Sequence, residues 1–373
     1  MPDKPKLVLD NNCEISDLLR PWAVGDFYNF AEVKHTKDHV YVVGRLQFSE
    51  HSALIRKLVN QGICVVFSNP FEGSLTLKSQ IERAQMQDLV EQGLVPVISG
   101  GDIEPTWRYM LYDLFLTKIY DFDENHRASQ RINDVYSKTN KPYKFLFLNG
   151  RTRPHRKYLV ERFRLSGLLD QTLWSWLDRT VGYSKHVSLM HNGQDLLGAT
   201  NTIQYLPAQY EVDLYRNSIN NPDESAFVKY SLFNNEWGEI YLNADAYIDT
   251  YFSLVTETVF EYPHSFRTEK IWKPIAMGQP WIAAANRGYY RDLHKLGFRT
   301  FGHVIDESFD LIDNNQQRIE RIAQVVEDLC EQNLADFLLE CRANCEYNQQ
   351  HLKELSAPTR NNFAERFFNF INQ

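Results

Sequence analysis

Two stretches of this chain are apolar on nearly every residue, and that property dictates its architecture. Residues 63–68 (Ile, Cys, Val, Val, Phe, Ser) and 143–148 (Tyr, Lys, Phe, Leu, Phe, Leu) are strand-length and lack the apolar–polar alternation of a half-exposed strand. Such strands are stable when helices cover both faces of their sheet, the condition met in parallel α/β folds.

The flanking segments supply the helices. Residues 52–61 have helical spacing and stop at Gly62, and residues 77–92 do the same before Gly93. Residues 40–44 and 94–99 are further apolar runs, the latter entering Gly100, Gly101 and Asp102. Pro96 suits the start or edge of its strand, because it has no amide hydrogen to give a neighbour. A second alternation predicts a helix over 156–169, a strand over 246–255, a helix over 269–277, a strand over 280–285, a helix over 289–296 and a strand over 300–304. The polar stretch 121–141 reads as a junction, and residues 174–238, rich in Asn, Tyr and Ser, as long loops. The expected organisation is an α/β N-terminal domain over 1–140, a second α/β domain over 141–345, and a terminal helical segment over 346–373. Phe363, Phe367, Phe370 and Ile371 line one face of that last segment, which must be buried, for example by packing back across the domains.

With 373 residues, about two domains are expected. Hydrophobic residues at 43% and charged residues at 24% exclude a disordered or collagen-like chain. No run approaches the roughly 18 apolar residues of a membrane span, and the first ten residues do not resemble a leader peptide, so a cytoplasmic protein is expected. The five cysteines are scattered without a Cys-x-x-Cys pair, which favours buried free thiols over zinc or disulfides. His35, His155, His191 and His303 fit no metal-ligand spacing, and Trp174, Trp176, Trp237, Trp272 and Trp281 read mostly as core.

Charge is uneven. The chain carries 40 Lys and Arg against 48 Asp and Glu, a net charge of −8, which disfavours a general nucleic-acid partner. Yet residues 144–164 hold seven basic residues and one acid, and residues 265–300 hold seven basic residues and two acids. Two basic islands in an acidic chain suit a local anion site, and they leave contact with a nucleic-acid backbone open.

The first island contains Asn149, Arg151, Arg153, His155 and Arg156, directly between a strand and a helix. Loops at the carboxyl ends of parallel strands are where ligands lodge, and a helix N-terminus offers unpaired amides to phosphate. Arginine adds bidentate contacts to phosphate oxygens that lysine cannot match. A solvated basic loop is the plainer reading of the same residues. In the second island, Ser265 or Thr268 can cap a helix whose first turn holds Glu269 and Lys270. A carboxylate there can accept both hydroxyls of a ribose, while Lys270 offers a point charge to phosphate. Glu269 and Lys273 can also form an ordinary i,i+4 surface pair. Pro274 requires this helix to be short, bent or later in starting.

The run Thr268–Trp272, placed after residues 253–258 and before residues 278–282, resembles the donor-binding half of fucosyltransferase-like glycosyltransferases, over about residues 245–305. Those enzymes carry an aliphatic-Thr-Glu-Lys-aliphatic-aromatic segment at this place in GT-B folds, two facing Rossmann-like domains. The resemblance implies that Glu269 binds the nucleotide ribose and Lys270 the diphosphate, that Arg151 or Arg153 contacts phosphate, and that Glu257 lies by the donor sugar. The candidate donor set is then Asn149, Arg151, Arg153, Glu257, Thr268, Glu269, Lys270 and Lys273. The family has Glu-Asn-Ser where this chain has Thr256, Glu257 and Thr258, and Arg267 here precedes the motif; both departures point to a neighbouring branch rather than to fucosyl transfer itself.

Transfer from a nucleotide-diphosphate sugar requires stabilisation of the departing charge and deprotonation of an acceptor hydroxyl. The basic residues and helix ends suit the first task without metal or other cofactor, since no Asp-x-Asp stands at a strand end; a GDP- or UDP-sugar is the donor expected, a glycan or other hydroxyl compound the acceptor, and inversion the outcome. For the second task Glu72, Asp102 and Glu104 follow strands of the first domain, with Glu72 the first choice. A nucleotide-sugar epimerase or hydrolase, and a non-catalytic nucleotide-sugar binder, are the alternatives on the same scaffold.

Overall fold

Alternate residues of the early strands divide into two apolar sets, and a sheet buried on both faces follows. The computed structural model describes residues 5–103, 106–149, 153–176, 190–191, 194–195, 242 and 244–373. The chain forms two compact units, the first made of residues up to 117 with 264–267 and 355–373, the second of 118–263 and 268–354.

In the first unit, β1 (Lys6–Asp10), α1 (Ser16–Leu19), β2 (Ala23–Phe27), β3 (His39–Val43), α2 (Arg45–Glu50), α3 (Ser52–Asn60), β4 (Cys64–Asn69), α4 (Ser74–Arg83), α5 (Gln87–Glu91), β5 (Val97–Ser99) and β6 (Tyr109–Leu111) follow in order. The six strands form one parallel sheet, β2-β1-β3-β4-β5-β6. Val8, Tyr41, Val43, Val65, Phe67 and Val97 face α2 to α5 through Phe48, Ile55, Leu58, Leu77, Ile81 and Leu89. Leu7, Leu9, Val40, Val42, Val66 and Ile98 face the other way, toward Leu19 of α1 and four terminal phenylalanines. The period of two in each strand thus fills two separate cores. Pro96 stands just before β5, and its carbonyl accepts from Phe67 N at 2.9 Å. The helix expected over 77–92 is instead two, because the chain turns left-handed at Gln85 (φ 56°) between α4 and α5.

Helix α6 (Leu114–His126) carries the chain into the second unit, followed by α7 (Ile132–Ser137), so the polar stretch 121–141 is largely helical rather than a linker. Next come β7 (Tyr143–Asn149), α8 (Pro154–Leu165), β8 (Leu173–Trp176), the antiparallel pair β9 (Met190–His191) and β10 (Gln194–Asp195), α9 (Ala244–Ile248) and β11 (Thr250–Thr256). Then follow α10 (Glu269–Ala276), β12 (Trp281–Ala284), α11 (Tyr289–Lys295), α12 (Asn315–Cys330) and α13 (Leu334–Asn361). The sheet order is β12-β11-β7-β8, all parallel. Phe145 stacks on Phe252 at 5.1 Å, Phe163 of α8 meets Phe145 and Phe147 edge-on, and Phe337 of α13 meets Phe252.

Two strands expected here differ. Residues 244–248 are helical, as suits alanines 244 and 246, and the strand begins only at Thr250, whose hydroxyl donates to Ala246 O at 2.8 Å. Residues 300–304 form turns because Glu307 accepts from Thr300 Oγ1 and Phe301 N at 2.7 and 2.6 Å, satisfying groups a strand would pair. Helix α10 is eight residues long with Pro274 sixth, the short form that proline imposes. It ends at Gly278 (φ 64°), where a Cβ would meet Ile132 Cδ1 at 2.2 Å.

The last helix, α14 (Phe363–Ile371), belongs to the first unit. Phe363, Phe367, Phe368 and Phe370 are buried in the core formed with Leu7, Val40, Val66 and Ile98. Helix α13 runs unbroken through residues 345 and 346, where the sequence suggested a boundary; its residues to Glu354 group with the second unit and those from Leu355 with the first.

Candidate functional site

The order of the second sheet selects its ligand-facing point. From β7 the chain passes outward to β8, then returns on the other side to β11 and β12. The carboxyl ends of β7 and β11 are therefore where successive connections diverge, the place where parallel α/β sheets take their ligands. Asn149 closes β7, and its Oδ1 accepts from Thr256 Oγ1 at the end of β11 at 3.0 Å, pinning the two ends together.

Past Asn149, Arg151 lies outside the described residues. Arg153 is the extended residue preceding α8, with Pro154 at the first helical position, where proline's fixed φ and missing amide cost nothing. Arg153 is half-buried, and its Nε is shielded from solvent without a hydrogen-bond partner among the described residues. His155 and Arg156 point inward. Arg156 Nη2 donates to Thr256 O at 2.8 Å and Glu257 O at 3.3 Å, and His155 Nε2 donates to Glu257 O at 3.0 Å. Arg156 was expected with Arg151 and Arg153 as a phosphate ligand; buried on these carbonyls, it braces the end of β11 instead. The His155 ring stacks on Phe260 at 4.9 Å, and Arg318 covers the same phenylalanine at 4.4 Å. Burial, with the nearby charges of Arg156, Arg153 and Arg318, lowers the His155 pKa to about 3, so its imidazole is neutral at pH 7.

Glu257 follows β11 and is 0% exposed. Its Oε1 accepts from Thr268 N at 3.0 Å and Tyr289 Oη at 2.9 Å; its Oε2 accepts from Thr268 Oγ1 at 2.7 Å and Thr258 N at 3.3 Å. Four donors fill the four lone-pair positions of a carboxylate. The resemblance placed Glu257 beside a donor sugar; in this geometry its carboxylate builds the turn that starts α10.

Thr268 caps α10, accepting from Lys270 N at 3.4 Å. Glu269 is buried in the first turn, and Lys270 Nζ lies 2.5 Å from Glu269 Oε1 and 3.2 Å from Thr268 Oγ1. Burial works against the Glu269 charge, but Lys270 and Lys273, with the hydrogen bond from Lys270, outweigh it and hold the carboxyl below its usual range. Glu269 is thus an anion inside a basic setting, able to accept hydroxyl donors. Its charge, added to burial, pushes the Tyr247 phenol up. Lys273 is buried as well, so its charge acts on Glu269 from the interior rather than from the surface.

Of the residues singled out in the sequence, Asn149, Arg153, Glu257, Thr268, Glu269, Lys270 and Lys273 all belong to the second unit, on or following the carboxyl ends of β7 and β11. The three carboxylates expected to act as base belong to the first unit or its neighbourhood in sequence. Glu72 is half-buried on the turn after β4, where its carbonyl accepts from Gly100 N at 3.1 Å. Asp102, after β5, is paired with the buried Arg267 at 3.2 Å. Glu104 lies outside the described residues.

Tyr289 and Arg318 were not singled out. Arg318 donates to Ala285 O, Ile312 O and Phe260 O, tying the loops after β11 and β12 to the start of α12. Its place as one of only two basic residues in the acidic stretch 301–340 was the available signal. Trp174, Trp272 and Trp281 are buried as core; the Trp176 side chain and Trp237 lie outside the described residues. The five cysteines are free thiols, and no cluster of metal-ligating side chains occurs among the described residues. Among those residues no helix is long and apolar enough to cross a membrane. Compared with known proteins, the chain matches no family model, no curated protein and no solved structure.

Proposed function

We propose that the second unit binds a nucleoside-diphosphate sugar at the carboxyl ends of β7 and β11, and that the protein transfers the sugar to a hydroxyl acceptor. The observation carrying this reading is the start of α10. There a buried carboxylate held anionic, Glu269, is followed by a half-buried lysine, Lys270, on a helix that begins beside the divergence point of a parallel sheet. A ribose presents two adjacent hydroxyl donors to such a carboxylate. The diphosphate then falls to Lys270, to Arg153 and to the first-turn amides of α8. The resemblance of Thr268–Trp272 to the donor motif of fucosyltransferase-like enzymes assigns the same roles, and two parallel α/β sheets in one chain accord with a GT-B scaffold.

In this reading the acceptor oxygen attacks the anomeric carbon as the bond to the nucleotide's terminal phosphate oxygen breaks, a single displacement that inverts configuration. The cations balance the charge growing on the departing diphosphate. The acceptor proton passes to a carboxylate. Glu72, on the turn after β4, is the residue we assign.

A melting-temperature screen against GDP, UDP, CDP, ADP and dTDP tests the donor site. A ligand present at 100 times its Kd raises stability by about 2.7 kcal/mol. At least one diphosphate should raise the melting temperature, Glu269→Ala and Lys270→Ala should suppress that rise, and Glu72→Ala should retain it while losing transfer. Sugar isomerised or released without acceptor would point to an epimerase or hydrolase. No response to any of the five would refute the donor-site reading.

A further inference from the structure

Residues 264–267 stand in the loop between β11 and α10, yet they group with the first unit. Glycines there admit their main chain. A Cβ at Gly73 would stand 2.8 Å from Phe266 Cβ, and one at Gly101 would stand 2.9 Å from the Ser265 carbonyl oxygen. Asp102 N donates to that same carbonyl at 2.9 Å. Gly100 makes the turn possible, since a Cβ there would lie 2.0 Å from the Pro70 oxygen. Phe266 packs edge-on against Phe115 at 6.1 Å. Arg267, 1% exposed, closes the insertion: Nη1 is 3.2 Å from Asp102 Oδ2 and Nε is 3.5 Å from Asp113 Oδ2.

A guanidinium buried between two carboxylates is weak evidence for stability, because desolvation cancels much of the attraction. Its geometric effect is definite. The residue after Arg267 is Thr268, whose amide and hydroxyl bind Glu257 and which starts α10. We propose that Arg267, Asp102 and Asp113 are positioning residues for the ligand-binding turn Thr268–Lys270. The arginine fixes that turn from its N-terminal side, as Glu257 fixes it through Thr268, so Glu269 and Lys270 are set before a nucleotide arrives. This assignment rests on the donor-site reading for its ligand, but not for its effect on the turn. It also gives a role to the arginine that sets this chain's motif apart, and it makes Asp102 a partner of that arginine rather than a base.

The experiment uses the full chain with Arg267→Gln, Arg267→Lys and the milder Asp102→Asn and Asp113→Asn, each first shown to melt cooperatively. Affinity for GDP, UDP, CDP, ADP and dTDP is measured by calorimetry, and amide hydrogen exchange is followed at residues 268–270. We expect Arg267→Gln and Asp113→Asn to weaken binding roughly fivefold or more, with partial recovery in Arg267→Lys, and to speed exchange at 268–270. Folded variants with unchanged affinity and unchanged exchange would overturn the proposal. If the unaltered protein binds none of the five diphosphates, the donor-site reading fails and exchange alone decides: acceleration supports the positioning role, and its absence refutes it.

Discussion

Replacing His155 by phenylalanine should remove one proton's worth of pH dependence from the protein's stability below neutrality. The imidazole is buried against Phe260, and its pKa falls from 6.5 to about 3. A group whose folded pKa lies below its unfolded value binds more protons in the unfolded chain, so stability rises with pH through that window and is lost on acidification. Here the window runs from about pH 6.5 down to about pH 3. Within it His155 costs about 1.4 kcal/mol of stability for each unit of acidification, or about 2 kcal/mol by pH 5.

His155→Phe keeps a flat ring over Phe260 and deletes the donor to Glu257 O, a carbonyl that Arg156 still reaches. At pH 7.5 the variant should therefore be less stable by about 1 kcal/mol, the net worth of one hydrogen bond. On acidification the wild type loses ground and the variant does not, so the two curves should cross near pH 6, by the same linkage. By pH 5 the variant should be the more stable. Urea midpoints followed by tryptophan fluorescence at half-unit steps from pH 4.5 to 7.5 measure the difference, and titration of every other group cancels in it. A constant offset across that range would show that His155 titrates alike in both states, and would falsify its assignment as a buried, neutral brace.

Phe367→Ala should destabilise the first unit by about 3–5 kcal/mol, since the ring is wholly buried in the core beneath the six-stranded sheet; chemical denaturation reads this directly. Tyr289→Phe removes one of four donors from a fully buried carboxylate, and a loss of about 1.5–3 kcal/mol is expected. The same variant should weaken whichever nucleotide the melting screen identifies, because Tyr289 helps Glu257 hold Thr268.

The strands β4 and β7 were legible because both of their faces are buried, which writes itself as uninterrupted apolar residues. Strand β2 was not: Val24, Gly25 and Asp26 are exposed on the sheet's edge, and nothing in those letters distinguishes it from a loop. The helix α9 and β11 look alike in sequence because both are rich in apolar residues; Asp249 and Thr250 separate them, and the bonds from Asp249 N to Asp245 O and from Thr250 Oγ1 to Ala246 O mark the break. At the site, the loops after β7 and β11 could be picked out from their place after strands. The direction of each side chain could not. Arg153 and Arg156 are three residues apart, yet Arg156 turns inward to two carbonyls, a choice set by where β11 ends rather than by local sequence. The pairing of Arg267 with Asp102, 165 residues away, is likewise a product of the fold.

That distinction explains why the most buried charge near the candidate site is a scaffold. An uncompensated carboxylate inside a protein is expensive, and Glu257 persists at zero exposure because each of its lone pairs meets a donor. The donors come from the loop after β11, from the first residue before α10 and from the start of α11, so one side chain fixes three segments at the carboxyl edge. An apolar residue of similar size would fill the volume but could not orient two amides and two hydroxyls. The buried carboxylate is thus best understood as setting geometry at the start of α10, where Glu269 and Lys270 follow Thr268.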